Sequence, residues 1–299
     1  MGKVFYKAIR GLEHPWGIDY VYLMTLSERN LYFKAGIFFS ITALGLVIVT
    51  AHVVLPVYPA LAAAGRRSSG LVQLLLGRFL QPAPYVPFVT ILVSVVYSLI
   101  TAVLIYYFFE KTQSPEILFV VFFVLSFAFE AVRIMVPIRM KFELPSVFLV
   151  MAWRALLFGR YFGIFSLFAA SVYAAGLQIQ KQGSFIFVIA AAALVIALGV
   201  PIDGLSWESN LSMISGYASM FRLVETGIAA ITVISFFIAA YSRGSREYIF
   251  TGTGALLVYL GRYLLLTADT WATPFPGLAI LGLGTWFIAN CLHKIYLWL

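Results

Sequence analysis

Charge is scarce in this sequence: lysine, arginine, aspartate and glutamate together supply 11% of its residues, against 62% hydrophobic ones and a mean hydropathy of +0.97. A soluble domain of 299 residues needs a polar face on most of its elements, and too few polar residues are present to make one. Cysteine is nearly absent as well. The single Cys291 excludes an internal disulfide framework and any metal site built from several thiolates. Histidine occurs only as His14, His52 and His293, whose places along the chain put them at different depths of any bundle, against a haem held between two imidazoles. HExxH, GxSxG, P-loop and dinucleotide-binding signatures are missing too, so zinc hydrolysis, serine acyl transfer and nucleotide hydrolysis find no basis here. No cofactor is expected.

What is present is a succession of apolar runs of about twenty residues, the length that crosses roughly 30 Å of hydrocarbon. Bounded by charge, proline or glycine, they predict spans at 35–56, 86–109, 117–138, 146–172, 184–202, 218–241, 249–268 and 275–297. The expected fold is an all-α polytopic membrane protein, with residues 35–299 forming a single bundle of eight transmembrane helices. Seven is the alternative, because only the turn ADTWATPFPG separates the last two runs. Residues 1–34 set Lys3, Lys7 and Arg10 among Val4, Phe5, Ile9, Trp16, Tyr20 and Tyr22, and are expected to lie on the membrane surface. They lack the apolar core and small-residue site of a cleaved signal peptide. Between the first two spans, LVQLLLGRFL at 71–80 is expected to lie flat as an amphipathic element. The other connections are short, so no soluble catalytic or regulatory domain is expected.

Basic residues set the expected orientation. Lys3, Lys7, Arg10, Arg29, Lys34, Lys111, Lys181, Arg243, Arg246 and Lys294 fall on one side, and Arg66, Arg67, Arg78, Arg139 and Lys141 on the other. The richer side predicts cytoplasmic termini for a multi-pass protein of the cell (inner) membrane. The net charge of +8 suits contact with lipid phosphates, and nucleic acid binding is not expected, since no soluble basic module exists to perform it.

Against this background the stretch FAFEAVRIM at 127–135 stands out, because Glu130 and Arg133 lie inside a span. Arg154, Arg160, Arg222, Glu225 and Arg262 do the same, with Asp203 and Asp269 at span ends. Each buried charge opposes insertion by roughly 2.5–3.5 kcal/mol unless paired or hydrated, so all must face inward. Alternating helix direction places them in the outer half of the bundle, Arg160 nearest the midplane. Glu130 with Arg133 and Arg222 with Glu225 are i,i+3 couples able to pair locally, and Arg262 shares a helix face with Asp269. One reading makes these structural pairs that hold the register of the bundle. The other notes that five arginines exceed two glutamates within the spans, an excess that water, lipid phosphate or an anionic ligand would relieve. On that second reading Glu130, Arg133, Arg154, Arg160, Arg222, Glu225, Arg262 and Asp269 surround a polar cavity open to the outer face. Under either reading, loss of Arg133 or Arg222 is expected to destabilise the protein more than loss of Arg246.

Gly-Arg-Tyr recurs at 159–161 and 261–263, on helices predicted to run in opposite directions, as an inverted repeat would place them, and LLGRF at 75–79 is close to both. Gly159 and Gly163 form a GxxxG pair, and AAAALVIALG at 190–199 is rich in small residues, so both helices are expected to pack closely. Three function classes fit. The first is a ligand-binding, sensory or signal-transducing subunit that acts through a partner protein. In helix count and buried charge alone the chain looks like the multi-helix input modules of bacterial sensor kinases, which implies such a partner for a chain without an output domain. The second is a transporter for a small anionic solute or lipid; the third is a non-catalytic structural subunit. An intramembrane enzyme using Glu130 or Glu225 is the least favoured. Expected partners are membrane lipids, a protein at the membrane, and a small anion or lipid headgroup.

Overall fold

A computed structural model describes residues 25–56, 83, 85–112, 114–176 and 182–297. The element expected at 71–80 lies outside the described residues, as does the expected surface segment up to residue 24. Among the described residues, eight helical spans are long and apolar enough to cross a membrane, as the hydropathy pattern predicts. They are α1 (Leu26–Val54), α2 (Val86–Phe109), a third span composed of α3 (Pro115–Ser126), a 3₁₀ segment (Phe127–Ile134) and α4 (Met135–Phe142), then α5 (Ser146–Ala174), α6 (Gln182–Gly199), α7 (Ala218–Arg243), α8 (Glu247–Leu266) and α9 (Pro274–Leu297). Between α6 and α7 the chain forms an antiparallel hairpin, β1 (Ile202–Trp207) with β2 (Met213–Ser215), where a plain loop was expected.

The first helix begins at Leu26 rather than at residue 35. Thr25 caps it: the Glu28 amide donates to Thr25 Oγ1 at 3.2 Å while the Thr25 amide donates to the Glu28 carboxylate at 2.8 Å, a reciprocal capping box. Arg29, buried in this first turn, donates to the carbonyls of Phe109 at 2.8 Å and Glu110 at 2.7 Å. Its charge thus sits against the C-terminal end of α2, where unpaired carbonyls gather. A polar stretch that looks extramembrane in sequence is helical because its charge has this partner.

Polar contacts distinguish two faces. At the hairpin face, Lys141 donates to the Val53 carbonyl at 2.6 Å, the Ala83 amide to the Asp269 carbonyl at 3.1 Å, and the Ser209 hydroxyl to the Asp269 carboxylate at 3.4 Å. At the opposite face Arg29 meets Glu110, Arg243 donates to the Tyr173 carbonyl at 3.1 Å, and the Tyr296 hydroxyl donates to Glu116. Successive spans therefore alternate in direction.

The third span is the axis of the bundle: 89% of its apolar window is buried, against 22% for α6 and for α7. Phe119 stacks on Tyr173 at 5.3 Å, and Phe127 meets Tyr97 edge-on at 5.1 Å, so aromatic rings fill the space around it. On α5, the GxxxG pair lies against this span as expected. A Cβ on Gly159 would come within 2.6 Å of Phe129 Cβ, and one on Gly163 within 2.7 Å of Ser126 Cβ. On α6, Ile189, Ala193 and Ala197 form the buried stripe, while Leu194 and Val195 are exposed. The two alanines let this helix, apolar on all sides, lie close to its neighbour.

Candidate functional site

The unusual charges are seated where the third span tightens from α to 3₁₀. With three residues per turn, side chains three apart eclipse one another, so Glu130 and Arg133 stack on one face. Each is 1% exposed. Glu130 accepts two hydrogen bonds from Arg160 of α5, Nε to Oε1 at 2.7 Å and Nη2 to Oε2 at 2.8 Å, a bidentate pairing between spans. Its own Arg133 stands farther off, with Nη1 at 3.4 Å. Arg133 Nη2 donates instead to the Asn210 carbonyl in the hairpin turn. The Arg160 guanidinium also lies 5.4 Å from the ring centroid of Trp153, within cation–π reach.

The two Gly-Arg-Tyr segments meet here. Arg262 Nη2, from α8, donates to the main-chain carbonyl of Arg160 at 3.5 Å. Each motif works alike: the glycine lets its helix approach a neighbour, Phe129 for Gly159 and α9 for Gly261, while the next residue, about 100° around the helix, points toward the polar centre. Side chains lean toward their own helix N-terminus, so Arg160 rises toward the hairpin face on α5 while Arg262 descends from it on the oppositely directed α8. That is how two arginines at different heights on their helices come together.

A cavity of about 650 Å³ opens beside this network, walled by α5, α7 and α8 and closed over by the hairpin. Arg160, Arg222, Arg262 and Glu225 line its polar end together with Glu208, Asn210, Ser212 and Ser215; Leu157, Ala229, Ala230, Val233, Leu256 and Leu260 line the remainder. Arg262 is 6% exposed, and among the described residues no carboxylate oxygen lies within 4.0 Å of it. Its long contact to a carbonyl leaves most of its donors facing the cavity.

Of the residues selected from sequence, Arg160, Arg222, Glu225 and Arg262 line this space, and Glu130 with Arg133 form the buried layer behind Arg160. Arg154 and Asp269 do not line it. Arg154 precedes Arg160 by six positions on α5 and therefore points about 120° away; its Nε is buried and has no hydrogen-bond partner among the described residues. Asp269 follows the end of α8, so the helical face it was expected to share with Arg262 has already stopped. The expected pair Arg222 with Glu225 is not formed within 4.0 Å; Arg222 is exposed and its Nε donates to the Ala218 carbonyl of its own helix at 3.4 Å.

This difference revises the stability expectation. Arg133→Ala leaves a buried carbonyl at Asn210 unpaired and is expected to cost roughly 1–3 kcal/mol, whereas Arg222→Ala and Arg246→Ala should each stay within about 0.5 kcal/mol of the parent. Thermal unfolding in detergent measures all three, and an Arg222→Ala loss equal to that of Arg133→Ala would contradict the assignment.

Sequence reasoning passed over the hairpin, although the polar run SWESNLS over 206–212 is a turn signal. It also passed over Glu116, 1% exposed at the opposite face, where it accepts from the Ser114 hydroxyl at 2.8 Å and from Tyr296. Ser-Pro-Glu is a helix-start pattern, and Ser114 is indeed the N-cap of α3. Compared with known proteins, the chain matches no protein-family model and no curated sequence.

Proposed function

We propose that the chain is an integral membrane subunit that binds an anionic group in the cavity beside Arg262 and passes the binding event to a partner protein, a sensory or signal-transducing role. The observation that carries this reading is Arg262: a buried cation, facing 650 Å³ of space, with a carbonyl contact at 3.5 Å and no carboxylate within ion-pair distance among the described residues. Such a guanidinium favours an anion strongly, since its forked donors match carboxylate or phosphate oxygens.

The network supplies a physical means of response. Arg160 lines the cavity and holds Glu130 on the third span, so a ligand that competes for Arg160 changes the load on the 3₁₀ segment. Such mid-helix tightening is a common place for a hinge. The same span begins at the opposite face, where buried Glu116 accepts from Tyr296 of α9, so a shift of the span would be felt at the surface a partner meets there. Lysine and arginine favour placing the charged, hairpin end of the cavity toward the outer face of the cell membrane, because Lys34, Lys111, Arg243, Arg246 and Lys294 gather at the face opposite the hairpin.

Transport of an anionic solute or lipid is the second reading. It is favoured by the 3₁₀ interruption of the third span at the level of the charges and by the meeting of two Gly-Arg-Tyr segments on oppositely directed helices. Native mass spectrometry of the gently extracted protein, wild type beside Arg262→Gln, tests the shared premise. A retained anion or anionic lipid that is lost in the variant is expected; a protein that is bare, or that holds a fixed partner chain regardless of Arg262, would replace both readings with a structural subunit. Counterflow of the identified ligand in liposomes then separates transport from sensing.

A further inference from the structure

We infer that the ligand is one membrane phospholipid of net charge −1, entering from the bilayer between α7 and α8, with its phosphodiester at Arg262 and its acyl chain along the groove beneath. The inference deepens the anion-binding reading and rests on it.

The cavity has two chemically different ends. From Arg222 to Ile234 its α7 wall extends about 18 Å at 1.5 Å per residue, several times the width of an inorganic anion. Only the hairpin end is charged. Below Glu225 the α7 wall runs through Thr226 to Ala229, Ala230, Val233 and Ile234, and the α8 wall carries Leu260 and Leu256, one helical turn apart, beside Tyr259, whose hydroxyl is taken up by Thr232 at 3.3 Å. The small alanines leave the width for a chain, and the leucines supply an apolar surface for it to lie on.

This groove is open toward hydrocarbon. Ile234 is 55% exposed, Leu256 49% and Leu260 48%, all at the depth of the spans. It closes lower down, where Gly252 admits Phe236 to within 3.3 Å of a Cβ position. A soluble anion would use only the polar end and leave the apolar length without an occupant. An amphiphile fills both.

Charge decides which headgroup fits. Arg133, Arg160, Arg222 and Arg262 in and behind the polar end face Glu130, Glu208 and Glu225, four against three, leaving one excess positive charge for one phosphodiester. Among the described residues no basic group pairs with Glu225 within 4.0 Å. Its carboxylate is an acceptor for the hydroxyl donors of a glycerol headgroup.

The test uses the full chain in nanodiscs of phosphatidylcholine containing a minority of phosphatidylglycerol, followed by native mass spectrometry of the lipid retained. Wild type is expected to keep one phosphatidylglycerol, and Arg262→Gln to retain it roughly tenfold less, the worth of one charge-assisted hydrogen bond. Ala230→Trp and Leu260→Trp fill the groove from opposite walls at exposed positions, where the fold tolerates bulk, and should reduce retention comparably. Ile238→Trp, on α7 outside the groove and 56% exposed, should leave it unchanged. Equal retention of phosphatidylcholine, or retention indifferent to both groove variants, overturns the lipid inference. A parallel measurement of thermal protection by sulfate and by glycerol phosphate separates the two levels. Protection that depends on Arg262, with lipid retention unaffected by the groove variants, leaves the anion site standing without the lipid; no response of either ligand to Arg262→Gln removes both.

Discussion

Glu130→Gln is expected to be the most damaging single substitution of a charged residue in this protein, costing roughly 3–5 kcal/mol, the usual consequence of stripping one partner from a buried ion pair. Both Glu130 oxygens are occupied by Arg160, and Arg133 stands 3.4 Å away, so the neutral amide would leave two buried guanidinia without a counter-charge. A third, Arg262, is linked through the Arg160 carbonyl. The loss therefore comes less from a missing hydrogen bond than from like charges held together in low dielectric. The double variant Glu130→Gln with Arg160→Met removes one negative and one positive charge together and is expected to recover part of the loss, a coupling that a double-mutant cycle reads directly. The measurement is thermal unfolding in detergent of the two single variants and the double. Additive losses, or a Glu130→Gln protein as stable as Arg246→Ala, would show that Glu130 does not hold the arginines.

Gly261→Ala should be nearly as severe although it changes no charge. A Cβ at this position would lie 2.7 Å from Leu281 Cα and 2.8 Å from the Gly277 carbonyl, both main-chain atoms of α9 that cannot rotate away. The two helices must separate instead, at a cost of about 1–3 kcal/mol or more for an overpacked contact. Gly282→Ala is the matched control, since nothing lies within 4 Å of its added carbon. Because Arg262 follows Gly261 directly, displacement of α8 also moves the cavity's principal cation. Lipid or anion retention should consequently fall in Gly261→Ala and persist in Gly282→Ala; equal stability of the two would mean that the backbone contact is not a close one in solution.

Much of the bundle is legible in the sequence because hydrocarbon imposes one rule along the whole chain: a run must be apolar for about twenty residues and helical throughout. Seven of the eight predicted spans agree with the structure to within a few residues. The first does not, since SERN looks like a polar surface turn until Arg29 is seen against the carbonyls of Phe109 and Glu110. The hairpin was missed because a few residues between two spans carry no hydropathy signal of their own.

The site was legible in part. Depth along a helix follows from counting residues, so Glu130, Arg133, Arg154, Arg222, Glu225 and Arg262 fall in one half of the bundle, and Arg160 near its middle, on the sequence alone. Azimuth between helices cannot be counted. It placed Arg160 beside Glu130 at 2.7 Å, turned Arg154 away, and left Arg222 on the cavity wall without the glutamate three residues on. Composition and the length of the apolar runs by themselves determined that this is an all-α polytopic membrane protein with more arginine than carboxylate inside its spans, because those properties are sums over the chain and its solvent; eight spans rather than seven, among the described residues, came from the structure. Which arginine is paired and which faces open space was decided only by tertiary structure, because that depends on the rotation of packed helices, set here by glycines at their contacts and by the 3₁₀ segment in the third span.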